Sequence, residues 1–144
     1  MKKFILIALL SFFAGQIVSA QDTVTHDVRQ LPQISQNFIT EHFSDEKISY
    51  IKIDKELLTT DYEVTFVSGK EVEFDKNGTW REVDCKKAAV PAAIIPEKIL
   101  QYVNQNYANS SIVKIGKEYR HYEVELANDL DLEFDLEGNF LRID

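Results

Sequence analysis

Carboxylates are the side chains this sequence offers most readily for chemistry, and they come at a regular spacing. Glu63, Glu71 and Glu73 in one stretch, and Glu123, Glu125, Asp131 and Glu133 in another, each stand beside a hydrophobic residue. Paired carboxylates do acid–base work when unlike surroundings push their pKa values apart. Here every acid occupies the polar phase of one alternating pattern, which describes a uniformly acidic, solvated face. The other reactive types are scattered. His26, His42 and His121 lie far apart in sequence and away from Cys85, without metal-ligand spacing. Ser35, Ser44, Ser49, Ser68, Ser110 and Ser111 sit in no nucleophile-elbow context. Asp75 and Asp135 each open an Asp-x-x-Gly stretch, but a calcium loop needs further oxygen ligands at set positions, and these are missing. No catalytic residue, metal site or cofactor is expected.

Four residues are candidates for contact with a partner. Leu57 and Leu58 are adjacent leucines between two predicted strands, where a hairpin tip should be solvated. They either form a protruding contact loop or fold back onto the sheet edge. Trp80 and Arg81 follow a predicted turn, and tryptophan and arginine are enriched among interface hot spots. Trp80 and Val83 differ in parity, as do Phe140 and Ile143. Either a bulge restores the register, or an aromatic side chain is displayed on the outer face.

The elements that would position these residues are written twice. Tyr62-Glu63-Val64 recurs as Tyr122-Glu123-Val124, and Glu71-Val72-Glu73-Phe74-Asp75 as Asp131-Leu132-Glu133-Phe134-Asp135, at an offset of sixty. Leu31-Pro32 matches Ile95-Pro96, Phe38 matches Tyr102 and Phe43 matches Tyr107, at an offset of sixty-four. Leu31, Ile34, Phe38 and either Phe43 or His42 suit one face of a short helix, with Pro32 near its start, where proline is tolerated. Ile95, Ile99, Tyr102 and Val103 do the same between about Pro96 and Tyr107. After each helix the period falls to two. Lys47 to Asp54, Tyr62 to Phe66 and the residues around Phe74 read as antiparallel strands with one apolar face, as do their counterparts. Asp75-Lys76-Asn77-Gly78 and Asp135-Leu136-Glu137-Gly138 are turn sequences, aspartate first and glycine fourth.

The expected organisation is a signal peptide over 1–20, a flexible leader over 21–30, one unit over 31–84, a connector over 85–94 and a second unit over 95–144. The signal reading rests on Lys2-Lys3, the apolar run Phe4 to Ala14, and Val18-Ser19-Ala20, with cleavage after Ala20. Removing those residues takes away two lysines and no acids, so the mature chain is more acidic than the formal net charge of −8. Nucleic acid and anionic membrane surfaces both need a basic footprint, so neither is expected as a partner, and no stable membrane insertion should follow cleavage. A cationic partner fits. Cys85 is the single cysteine, which excludes an internal disulfide.

The two Leu/Ile-Pro helix starts, the repeated Tyr-Glu-Val, the acidic strand ends closing on Phe-Asp and the following Gly-x-aromatic resemble those of the PepSY-like proteins, also described as beta-lactamase-inhibitor-like. The resemblance covers Leu31 to Asp144. It implies an α+β fold of two tandem repeats, each one helix followed by three to four antiparallel strands, with the helices packed on one face of the sheet. It further implies a non-enzymatic periplasmic or secreted module that binds a protein partner, such as a hydrolase or peptidase it inhibits or regulates. The alternative is a small-ligand or cation-binding protein that uses a groove between the repeats.

Overall fold

The computed structural model describes residues 21–144, so the expected signal peptide lies outside the described residues. Nine strands follow in chain order: β1 (Gln21–Thr25), β2 (Ile48–Lys55), β3 (Thr60–Phe66), β4 (Glu71–Phe74), β5 (Trp80–Asp84), β6 (Ile112–Lys117), β7 (His121–Leu126), β8 (Asp131–Asp135) and β9 (Phe140–Ile143). They form one sheet in which each strand pairs antiparallel with its sequence neighbours, from β1 at one edge to β9 at the other. Two ten-residue helices, α1 (Gln33–His42) and α2 (Glu97–Asn106), interrupt the strand succession before β2 and before β6.

This corrects the expected fold class. The protein is not an α+β assembly of two helix-plus-sheet repeats but a mostly β molecule with a single continuous sheet. Val83 pairs with Ile115 and Asp84 with Lys114 across the β5–β6 junction, in the same ladder geometry as any hairpin. Short helical periodicities at Leu31 and Ile95 suggested a helical layer, whereas each helix is only ten residues long. The flexible leader is also corrected. Gln21–Thr25 pairs along its length with Ile51 to Lys55 as β1. A 3-10 turn over Val28–Gln30 follows, capped by Asp27, whose carboxylate accepts from the Arg29 backbone. The polar sequence Gln-Asp-Thr-Val-Thr hid this strand, because an edge strand has its ladder to satisfy and little apolar surface to bury.

Alternation sorts the strand residues to two faces. Ile51, Ile53, Val64, Phe66, Val72, Phe74, Val83, Ile115, Val124, Leu126, Leu132 and Phe134 are buried and belong to one hydrophobic cluster, with Ile99 and Val103 of α2. Fully burying a side chain of this kind contributes about 1.5–3 kcal/mol relative to leaving it in water. Both helices meet the sheet through aromatic contacts of like geometry. Phe38 stands edge-on to Phe74 at 5.6 Å and 86°, and Tyr102 edge-on to Phe134 at 5.4 Å and 82°.

The two Asp-x-x-Gly turns are pressed against the helix starts. Asp75 Oδ1 accepts from the backbone of Asn77 and Thr79, and Asp135 Oδ1 from Glu137 and Asn139. Gly78 has φ +85° and leaves room for Pro32 and Ser35. A Cβ built there would lie 2.7 Å from Pro32 Cβ. The buried Ser35 hydroxyl donates to the Gly78 carbonyl at 3.0 Å, which ties α1 to this turn. Each aspartate thus spends its Oδ1 on the turn backbone, and Asp135 Oδ2 accepts from the Asn139 side chain. Opposite the inner face, nothing in the described residues plays the part of the helices.

Candidate functional site

The outer face of the sheet is the surface with the most organised chemistry. Its side chains run in rows across the strands, one residue per strand, in the order fixed by the register. One row reads Lys52, Glu63, Glu73, Glu82, Gly116, Glu123, Glu133 and Arg142, each the cross-strand partner of the next. The adjoining row reads Thr65, Glu71, Asp84, Lys114, Glu125 and Asp131. Like charges directly opposite one another on a sheet are destabilising. Glu63, Glu73 and Glu82 nevertheless stand in direct succession over three strands.

The electrostatics follow from that placement. Crowding strips water from the Glu73 carboxylate, and the charges of Glu82 and Glu63 add to it, so its pKa is raised above the ordinary glutamate value. Glu82 is relieved by Lys114, whose ammonium lies 2.9 Å from its Oε1. Burial alone would push Lys114 down, but the Glu82 hydrogen bond and the nearby charges of Glu82, Asp84 and Glu125 hold it above its usual value. Asp84 would be raised by burial, and hydrogen bonds from the Lys86 ammonium and backbone more than offset this. Lys86 also reaches Glu71 at 2.7 Å. In the second half Glu133, buried at 7% exposure, is held by Arg142 at 2.7 Å.

Two shallow cavities lie along this face. One, of about 180 Å³, is lined by Lys52, Asp54, Asp61, Tyr62, Glu63 and Glu73. The other, of about 240 Å³, spreads over Gly116 between Glu82, Lys114 and the acids of β7 and β8, and reaches Asp144. Beside it, the ligand atoms of His121, Glu123 and Glu133 come within 4.8 Å of one another. His121 Nε2 is 3.0 Å from Glu123 Oε1, and Glu133 is already neutralised by Arg142. A hard cation such as calcium takes six to eight oxygens as a rule, which this trio does not supply.

The residues proposed from sequence are not brought together here. Leu57 and Leu58 project from the tip of the β2–β3 hairpin, 80% and 85% exposed. Trp80 is half-buried on the helix side, with its ring 6.5 Å from that of Phe38. Its parity conflict is resolved by a bulge. Phe74 pairs with Trp80 and Glu73 with Glu82, leaving Arg81 as the extra residue, 3.8 Å from Asp61. Leu141 is the equivalent extra residue between Phe140 and Arg142. Cys85 is buried and free, and burial raises its thiol pKa.

Sequence reasoning missed Tyr119, which stands 91% exposed at the tip of the β6–β7 hairpin. It also missed Glu82, Arg142 and Gly116. Comparing the halves at the offset of sixty would have paired Glu82 with Arg142 and exposed the charge reversal. Gly116 was visible as a lone glycine inside an apolar strand.

A family model described as "Putative beta-lactamase-inhibitor-like, PepSY-like" matches the chain twice, over residues 17–65 and 60–142. The chain belongs to the PepSY-like family. Three solved structures resemble this PepSY-like protein closely. A "putative calcium-regulated periplasmic protein" from Bacteroides thetaiotaomicron is 46% identical with a TM-score of 0.82, and the match covers 85% of this chain and 96% of that one. A "putative periplasmic protein" from Bacteroides vulgatus is 41% identical with a TM-score of 0.81, over 85% and 96% of the two chains. A second Bacteroides vulgatus protein, described as periplasmic and of unknown function, is 42% identical with a TM-score of 0.82, over 86% and 99%. Among proteins of curated function, none matches the chain at a significant level. No helix among the described residues is long and apolar enough to cross a membrane.

Proposed function

We propose that this PepSY-like protein is a non-catalytic periplasmic module that binds a partner protein through the open, acidic outer face of its sheet. The observation that carries the reading is the unbroken succession of Glu63, Glu73 and Glu82 across three strands, on a face that no element among the described residues covers. That arrangement costs stability in the free protein, and a cationic surface laid over it would relieve the cost. Complementary charge of this kind steers encounter and fixes register more than it sets final affinity. The periplasmic assignment is supported by the three relatives and by the signal-like residues before Gln21. The family's description as beta-lactamase-inhibitor-like supports a hydrolase as the class of partner, restrained by occlusion.

Site-specific photo-crosslinking in cells tests this reading. A crosslinking amino acid at Glu71 on the outer face should capture a discrete partner, and one at Gln101 on the solvent side of α2 should not. Equal capture from both positions, or from neither, would count against the outer face.

A second reading has one observation in its favour: the relative from Bacteroides thetaiotaomicron is described as calcium-regulated. In this reading the Glu63–Glu73–Glu82 succession gathers a divalent cation, and binding it relieves the same repulsion. Titration calorimetry with calcium chloride, on the wild type and on Glu73→Gln, decides it. Heat that vanishes in the variant supports the cation, and a flat wild-type titration removes it.

A further inference from the structure

Gly116 has no fold-based reason to be glycine. It lies in the interior of β6, pairs in regular register with Glu82 on one side and Glu123 on the other, and adopts no left-handed backbone. A Cβ added there would meet its nearest neighbour, Glu82 Oε2, at 3.8 Å, which is ordinary contact. Glycine inside a strand weakens it, and where neither a bulge nor a bend calls for it, glycine marks the close approach of a ligand or another chain. Its missing side chain opens the floor of the 240 Å³ trough in the middle of the outer face.

We infer that this trough receives one lysine or arginine side chain projecting from the partner protein. The inference rests on the reading of the outer face as the partner-binding surface and names the point at which the partner is gripped. The charge of the walls selects the occupant. Glu82 bounds one side, Glu123 and Glu133 the other, and the latter two bring carboxylate oxygens within 4.8 Å of each other. The chain already shows the chemistry on one wall, where the Lys114 ammonium sits 2.9 Å from Glu82. On the Glu123 wall the close partner is a histidine, at 3.0 Å. Glu133 is already paired with Arg142, so an ammonium or guanidinium entering over Gly116 would meet Glu123 and the further acids of the lining, Glu125, Asp131 and Asp144, while the absent Cβ lets the partner backbone come down onto the sheet. A cation desolvated in a central pocket of an interface is the setting in which one side chain carries much of the binding energy.

The test uses the mature protein and a capped octapeptide of alternating lysine and serine as the probe, with binding followed by calorimetry at low ionic strength. Gly116→Val fills the trough without altering any charge and should weaken binding by about tenfold or more. Gly116→Ala should weaken it by a smaller factor and serves alone if the valine variant does not fold. Glu41→Gln removes an exposed charge on α1, away from the outer face, and should change affinity by about twofold or less. If both glycine variants bind like wild type while Glu63→Gln/Glu73→Gln/Glu82→Gln loses binding, the trough is refuted and the acidic face stands. Failure of the wild type to bind the peptide would overturn both. Calcium chloride that displaces the peptide from wild type and binds Gly116→Val equally well would assign the face to a metal ion instead.

Discussion

The same three positions on the outer face carry different charge in the two halves of the sheet. In the first half they are Glu63, Glu73 and Glu82, three acids in cross-strand succession. In the second they are Glu123, Glu133 and Arg142, where the arginine closes an ion pair at 2.7 Å. The inner face shows no such divergence. Phe38 on Phe74 and Tyr102 on Phe134 differ by 0.2 Å and 4° in ring geometry. Packing has held the buried positions alike, while the exposed positions were free to drift in charge. Acids oppose one another in the second half too, at Glu123–Glu133 and Glu125–Asp131, but the run of three without an arginine to close it belongs to the first half and is a feature to explain by what the face meets.

The largest effects should confirm the likeness of the inner faces. Phe74→Ala and Phe134→Ala should each destabilise the protein by about 3–5 kcal/mol, as loss of a fully buried phenylalanine does. Denaturant unfolding would show it, and a much smaller loss in either half would break the equivalence. The turns come next. Gly78→Ala and Gly138→Ala both place a side chain at positive φ and against a helix start, with Cβ approaches of 2.7 Å to Pro32 and 2.9 Å to Lys98. Each should cost more than ~1 kcal/mol. Gly78 should be the more sensitive, because it also faces the Ser35 hydroxyl at 2.9 Å.

The outer face should respond in opposite directions in the two halves. Arg142→Ala leaves the buried Glu133 carboxylate without its charged partner and should cost about 1–3 kcal/mol. Glu73→Gln should instead stabilise the protein at neutral pH. The folded-state pKa of Glu73 is raised, so its ionised form is disfavoured by folding. The penalty is absent below the unfolded-state pKa and complete above the folded-state value. Thermal melts of wild type and Glu73→Gln should accordingly converge as the pH falls through that window. A gap that widens on acidification would contradict the placement of Glu73 among like charges.

Much of the inner face was legible in the sequence, because period-two alternation and the Asp-x-x-Gly turns are local signals. Pro32 and Pro96 marked the helix starts within a residue, each preceding its helix directly. The fold class was misjudged, since two short helical periodicities outweighed a run of strands whose continuity across Cys85 to Ser111 is not local. Cys85 and Val90 hydrogen-bond to Val113 and Ile112, so the connector itself is stitched to β6. β1 escaped because its residues carry no apolar pattern. The candidate face was only half visible. Acidic alternation is plain in the sequence, but which acids oppose each other depends on register. The bulge that makes Arg81 the extra residue also sets Glu82 opposite Glu73. Exposed apolar tips at Leu57, Leu58 and Tyr119 belong to hairpins whose lengths differ, and only the adjacent leucines of the longer one stand out in the sequence.

Whether the acids of the first half hold a partner can be measured directly. Immobilised mature protein and its Glu63→Gln/Glu73→Gln/Glu82→Gln variant should be compared for capture from a periplasmic extract, after melts show both to be folded. The expected result is a partner retained by wild type at low salt, released as salt rises and not captured by the variant. A partner held equally by both proteins would contradict binding through these acids.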